Sequence, residues 1–311
     1  MQDSALSITS IGLIAFAAIL TYSFAELVWL LFARRQASFR QEFYQPLKNL
    51  LFVLLSGALL AKFFPVIAVA AIAIVGQHWS VFQLPDVWYS WIAALLIYEF
   101  WYWLQHYLAH KVRVFWCIHS PHHAPDSINM LVGTNHHVLE GLLYFPLFLG
   151  LMPALCGVPV EMIVVINLLD GLWGSFLHLS PKMVKGGRYG MLEFCMQTPS
   201  HHRVHHAKNI RYMDKNFNSI TVFWDWVMGT RQRLDVSDPV NYGITRKVNV
   251  ESFRDVQFGE FAALWGDIAA APGLRNKISY LFMPPGWSHL GDHKTVFLQQ
   301  RAWREAKRVG S

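Results

Sequence analysis

Residues 87–123 read VWYSWIAALLIYEFWYWLQHYLAHKVRVFWCIHSPHH. The run from Val87 to about Tyr107 is apolar. As a helix rising about 1.5 Å per residue, it is long enough to cross a hydrocarbon core of about 30 Å. Asp86, following Pro85, is its expected cap. The far end runs into imidazoles. In HYLAH, His106 and His110 stand one turn apart on one helical face, and in HSPHH, His119, His122 and His123 stand at i, i+3 and i+4. An apolar span leading into two histidine clusters sets the reading of the chain: helices in a bilayer, with a metal-binding assembly at one of its faces.

Composition agrees. Hydrophobic residues make up 54% of the 311 and charged residues only 15%, against a usual charged share of about 25%. Mean hydropathy is +0.28, which excludes an ordinary soluble domain. The net charge of +6 comes from Lys and Arg beside apolar runs. That placement suits lipid headgroups and membrane topology, not nucleic acid. Cys117, Cys156 and Cys195 are odd in number and widely spaced, so neither a disulfide framework nor a CxxC zinc site is on offer. No GxGxxG, flavin, haem or iron–sulfur motif is present, so any electrons must come from outside the chain.

Working outward, the first apolar run is Ile11 to Phe32. It has no Lys or Arg before it, whereas Arg34, Arg35, Arg40 and Lys48 follow it. This contradicts a cleaved leader and puts the N-terminus outside. Leu50 to Val75 then leads out and Val87 to Tyr107 leads in. Leu142 to Cys156 and Val160 to Leu177, split by Gly157 and Pro159, form a hairpin that starts and ends on the cytoplasmic side. From Ser180 the chain turns polar, and no later segment is long enough to span. The histidine clusters and the C-terminus are then cytoplasmic. Glu26, Lys62 and Glu99 lie inside the apolar runs. Counted from the cytoplasmic ends, Lys62 and Glu99 differ in depth by roughly 6 Å, so a structural ion pair is expected.

Twelve of the fifteen histidines fall between positions 106 and 206. A third cluster, His202, His205 and His206 in HRVHH, repeats the i, i+3, i+4 spacing. Burying this many imidazoles without a metal would leave many polar atoms to satisfy. There is no HExxH and no Glu-x-x-His pair, which removes the zincin proteases and the soluble carboxylate-bridged di-iron bundles. Eight imidazoles exceed what one ion uses, so two ions are expected. Neutral ligands leave the ions' charge uncompensated, which suits Fe(II) and O2; on the residues alone, copper and zinc stay open.

These boxes, in this order, are followed by Asp214-Lys215-Asn216-Phe217 and by Trp224-Asp225 through Gly229-Thr230. Together they resemble the fatty acid hydroxylase and sterol desaturase superfamily of integral membrane di-iron enzymes. The resemblance covers about Glu99 to Arg231, with an echo of family tails in Pro284-Pro285-Gly286-Trp287-Ser288. Within the superfamily, TPSHHRVHH at 198–206 and its DKNF continuation look most like the alkylglycerol monooxygenase branch. The resemblance implies His106, His110, His119, His122, His123, His202, His205 and His206 as ligands of two Fe ions. It also implies further ligands between the second and third boxes, for which His178 and then His137 are the candidates. In the hydroxylases that intermediate box is HX3H, and its first position falls on Gly174. His201 is open between a further ligand and a supporting or surface residue, and His136 is read as a non-ligand. Asp225, Glu140 and Asp170 are the candidate carboxylates that orient the ligating rings. Lys111 departs from the branch, whose members carry Glu there.

The resemblance implies O2 as co-substrate and hydroxylation of a C–H bond of a lipid-like hydrophobic substrate. The electron donor stays open between tetrahydrobiopterin and a redox protein. The alternatives are a desaturase on the same site or, from another class, a divalent-metal transporter or sensor. The expected fold is an all-α integral membrane protein with about three transmembrane helices and a helical membrane hairpin. A cytoplasmic cap holds the histidine-rich di-iron site. Residues 1–86 form the N-terminal membrane helices, 87–235 the catalytic domain and 236–311 a cytoplasmic tail. The aromatic wealth is read chiefly as interface anchoring.

Overall fold

The computed structural model describes residues 58–309 except 138 and 184–187, together with 14, 17, 18, 21–26, 28 and 29. The N-terminal flank, the basic stretch 34–48 and the Lys62 side chain lie outside the described residues. Among the described residues the chain is helical without a strand; two isolated bridges, Met196 to Thr221 and Ala207 to Tyr242, tie loops together. In chain order come α1 (Ala58–Trp79), α2 (Trp88–Lys111), α3 (Arg113–His123), a π-helix (Glu140–Leu151) and its short continuation α4 (Met152–Leu155). They are followed by α5 (Val160–Leu177), α6 (Pro199–His205), α7 (Phe223–Val227), α8 (Phe253–Ala270), α9 (Gly273–Phe282) and α10 (Val296–Val309).

α1, α2, the π-helix, α4 and α5 pack around Val69, Ala73, Ala94, Tyr98, Leu149 and Ile163. Small residues set the spacing. A Cβ on Gly76 would lie 2.7 Å from that of Ala154, and one on Gly150 would lie 3.1 Å from the Val69 carbonyl oxygen. Close backbone approach of this kind is how helices associate where hydrophobicity supplies no drive between them. Gly157, at φ +80, turns the chain between α4 and α5. Of the described helices, Val160–Leu177 is the one long and apolar enough to cross a membrane.

Two local expectations change, and a third, the Lys62–Glu99 pair, falls partly outside the described residues. The N-cap of α2 is Val87, in extended conformation and without a side-chain bond, so Asp86 sits one residue too early to cap it. α2 also continues past Tyr107 to Lys111, and this carries His106 and His110 on one rigid rod. Around Glu99 the described partners are neutral donors. Its carboxylate accepts from the Ile220 amide at 2.7 Å, the Thr221 amide at 2.9 Å and Asn218 Nδ2 at 2.8 Å, tying α2 to the loop before α7. Glu26 likewise accepts from the amides of Met130 and Ser180.

Candidate metal centre

Every box histidine sits on the end of a helix. α2 ends on HYLAH, α3 on HSPHH, and α6 starts at Pro199, whose fixed φ suits a first helical position, and holds HHRVH. Only Val112, extended at φ −115, separates α2 from α3, so the two rods fold back and face their histidines inward.

The structure sorts the rings into two groups. His106, His110, His119, His123 and His205 form the first, and His122, His178, His202 and His206 form the second. Within each, one ring nitrogen per residue lies within 4.8 Å of all the others, and every member is buried. The helical spacing explains the split. On α3, His119 and His123 at i and i+4 join the first group, while His122 turns to the second. α6 does the reverse, with His202 and His206 in the second and His205 in the first.

Hydrogen bonds on the outer nitrogens assign the tautomers. His106 Nδ1 lies 2.8 Å from the Phe217 carbonyl, His205 Nδ1 2.9 Å from that of Lys215 and His178 Nδ1 2.6 Å from that of Gly174. Carbonyls only accept, so each Nδ1 carries the proton and donates. His119 Nδ1 donates to Glu140 at 2.8 Å. The Nε2 atoms of these rings are therefore bare lone pairs, yet those of His106 and His119 face each other at 3.1 Å. His110 Nε2 and His205 Nε2 are buried in the same group with no partner. An unmet buried polar atom costs about 1–3 kcal/mol, and facing lone pairs cost more unless a cation sits between them. The Nε2 separations of 3.0 and 3.1 Å in the first group, and 2.8 to 3.2 Å in the second, match neighbouring ligands on a metal with bonds of about 2.0–2.1 Å. The residues fit two metal ions.

Electrostatics point the same way. Burial, and after it the neighbouring imidazoles, hold His122, His123, His202 and His206 well below the usual histidine range. Burial brings His205 down to about 3 despite the Lys215 carbonyl. The rings are thus neutral at neutral pH, the state that binds a cation. For Glu140, burial favours the protonated acid, but His136 and His119 outweigh it and hold the carboxyl far below its ordinary value.

Of the sequence candidates, the eight box histidines and His178 come together; His137 does not. Its ring packs on Phe258 and Phe261, and its Nδ1 accepts the Leu139 amide. His136 takes the inward place instead, stacked on His122 with centroids 4.3 Å apart and bonded to Glu140 at 2.9 Å. The i, i+4 spacing of His136 and Glu140 was a readable signal for that pairing. Of the three candidate carboxylates, Glu140 is the one that holds a ring directly. Asp225 touches no imidazole; it accepts from the Phe217 and Asn218 amides at 2.8 and 2.9 Å, and so aims the Phe217 carbonyl at His106. Asp170 bonds Tyr98 and Ser219, away from both groups. His201 is buried beside Thr198 and supports α6.

The DKNF segment acts through its backbone. Asp214 and Asn216 adopt left-handed conformations at φ 57 and 56. These bends turn the carbonyls of Lys215 and Phe217 toward His205 and His106. Such residues tolerate this region better than most. Lys111, the departure from the alkylglycerol pattern, pairs with Asp214, whose other oxygen lies 3.4 Å from His110 Nδ1. A cavity of about 610 Å³ opens on His110, His123 and His205 and is walled further out by Arg113, Lys208, Arg246 and Glu260. None of the second group borders it.

Residues 91–230 match the fatty acid hydroxylase family. The chain is 31% identical to human alkylglycerol monooxygenase over 230 residues, covering 72% of this chain and 49% of that protein. It is 30% identical to the Danio rerio alkylglycerol monooxygenase over 236 residues, with 73% and 50% covered. With the Rhizobium tropici ornithine lipid hydroxylase it shares 29% identity over 196 residues, with 62% and 57% covered. The chain spans about half the length of the curated relatives it matches. No solved structure matches it.

Proposed function

The chain belongs to the fatty acid hydroxylase family, and on that premise we propose that it is a membrane-bound di-iron monooxygenase. It would hydroxylate a C–H bond of a lipid-like substrate with O2 and electrons supplied from outside the chain. The observation that carries this reading is the pair of buried, inward-facing imidazole groups. Ligands to one ion are His106, His110, His119, His123 and His205, and to the other His122, His178, His202 and His206. Bound iron supplies the activation of O2 and the abstraction of hydrogen.

The chain's own residues do the rest. Glu140 and the carbonyls of Phe217, Lys215 and Gly174 hold the ring tautomers with Nε2 bare. Phe217, fully buried against His106, His110 and His205, keeps water from the inner side of the first group. The cavity offers the approach for the reacting carbon.

The membrane part of the proposal has about three spans and a hairpin, the N-terminus outside and the cap inside. Residues 1–86 precede the catalytic region 87–235, and 236–311 complete the cap. Exposed Val165, Leu169 and Leu172 on α5 and the exposed aromatics Trp79, Phe82, Trp88 and Tyr89, from the end of α1 to the start of α2, support it. The lipid class rests on the names of the relatives, which act on alkylglycerols and ornithine lipids.

The test uses purified chain, 18O2, an artificial reductant and lipid extracts. Two irons per chain and a product with one labelled oxygen are expected. An unlabelled product lacking two hydrogens would make it a desaturase, and a single ion per chain would overturn the two-metal assignment.

A further inference from the structure

The cap carries an apolar surface that the metal centre does not use. α8 and α9 form a hairpin joined by Ala271 and Pro272. Its inner face packs on α3, where Leu264, Ala271 and Tyr280 are buried with Cys117, and Glu260 and Ala263 wall the cavity. Its outer face is apolar on both helices. Phe258, Ala262, Trp265 and Ala269 are exposed at i, i+4, i+7 and i+11 on α8, and Leu274, Ile278 and Phe282 are exposed at i, i+4 and i+8 on α9. Helical periodicity places each set on one stripe. Trp265 and Leu274, either side of the turn, are both 72% exposed.

Charge is sorted the same way. The hairpin's acids are engaged by arginines from outside it: Asp255 and Glu260 by Arg246, Glu260 and Asp267 by Arg113. Arg254, Arg275 and Lys277 pair with no carboxylate among the described residues. An apolar face flanked by free cations suits the headgroup plane of an anionic leaflet. The two protein occupants fit worse. A second copy across a twofold axis would bring the three cations toward themselves. The chain's own stretch at 34–48 carries Arg34, Arg35, Arg40 and Lys48, which would repel them as well.

We propose that the α8–α9 hairpin docks on an anionic lipid bilayer. Its two apolar stripes enter the boundary between headgroups and acyl chains, and Arg254, Arg275 and Lys277 meet the phosphates. The hairpin thereby holds the cavity that α8 walls beside the bilayer, which, on the lipid hydroxylase reading, supplies the substrate.

The full chain, metal-loaded, is reconstituted into vesicles of phosphatidylcholine, alone or mixed with phosphatidylglycerol, with plain or brominated acyl chains. An environment-sensitive fluorophore is attached at Ile278→Cys, with Cys156→Ser and Cys195→Ser to leave one reactive thiol. Val236→Cys, in an exposed loop of the cap, is the control. The label at 278 should be blue-shifted and lose most of its intensity to brominated chains, while that at 236 is unaffected. Adding Arg275→Gln and Lys277→Gln should reduce the quenching gained from phosphatidylglycerol. The docking is overturned if aqueous iodide quenches both labels equally. It is equally overturned if the label at 278 is shielded from iodide yet untouched by brominated chains, since protein would then cover it. Metal content checks that each variant is folded. These readouts need neither turnover nor a known substrate, so failure of docking and failure of the hydroxylase reading are separable.

Discussion

The two histidine groups draw on the same helices, α3 and α6, but differ in support and in access. The first is completed by His106 and His110 of α2, and its rings are held by Glu140 and by the carbonyls of Lys215 and Phe217, all from other elements. Three of its members open on the cavity. The second is completed by His178 alone, whose outer nitrogen donates within its own helix to Gly174 and which presses against Gly133. None of its members borders the cavity. The contrast teaches that i, i+3, i+4 spacing builds two sites at once, and that what surrounds them makes one accessible and the other enclosed.

The strongest way to break that picture is to remove a ring from each side. His110→Ala and His206→Ala should each abolish turnover and lose metal by elemental analysis. Because α3 and α6 serve both groups, occupancy of the untouched group should fall as well. A variant that keeps one ion fully bound would show that the groups are independent.

Supports come next. Glu140→Ala frees His119 and His136, and metal affinity in chelator competition should drop about 10- to 100-fold. Gly133→Ala strains the second group, because its Cβ would lie 2.9 Å from His178 Nδ1. The loss there should be at the low end, about tenfold. Equal losses would remove the distinction between a group held by distant elements and one held locally.

A pH series sharpens the shared feature. Burial holds His205 down to about 3 and His201 down to about 4, whereas an unfolded histidine titrates near about 6.5. Below about 6.5 the unfolded chain binds more protons than the folded one. The metal-free protein should therefore keep its stability above that pH and lose it as pH falls toward about 4. Thermal midpoints in detergent that stay flat from about pH 7 to about pH 5 would contradict this. The smallest effect belongs to residues the fold leaves outside both groups: His137→Phe and Asp170→Asn should retain full metal content.

Much of the centre was legible in advance because its histidine pairs sit on single helices, where spacing in sequence is spacing in space. His106 with His110 and His119 with His123 are of this kind. His178 was legible only through the resemblance, as a lone residue with Gly174 at the companion position. His137 and His136 are adjacent and chemically identical, so only the chain direction after Asn135 decides which faces inward. Asp225 was recognisable as important, but its action through the Phe217 amide was not.

From the sequence by itself came the helical class, the breaks between apolar runs, the eight box histidines and the family. Each of these rests on local pattern, apolar length or helical periodicity, which needs no tertiary contact to read. Tertiary structure alone decided how the histidines divide into two groups and which group opens on a cavity. It also decided which carbonyls fix the tautomers and which face of the α8–α9 hairpin is left apolar. A carbonyl is common to every residue and a short helix is ambiguous until it packs, so those roles exist only once distant segments meet.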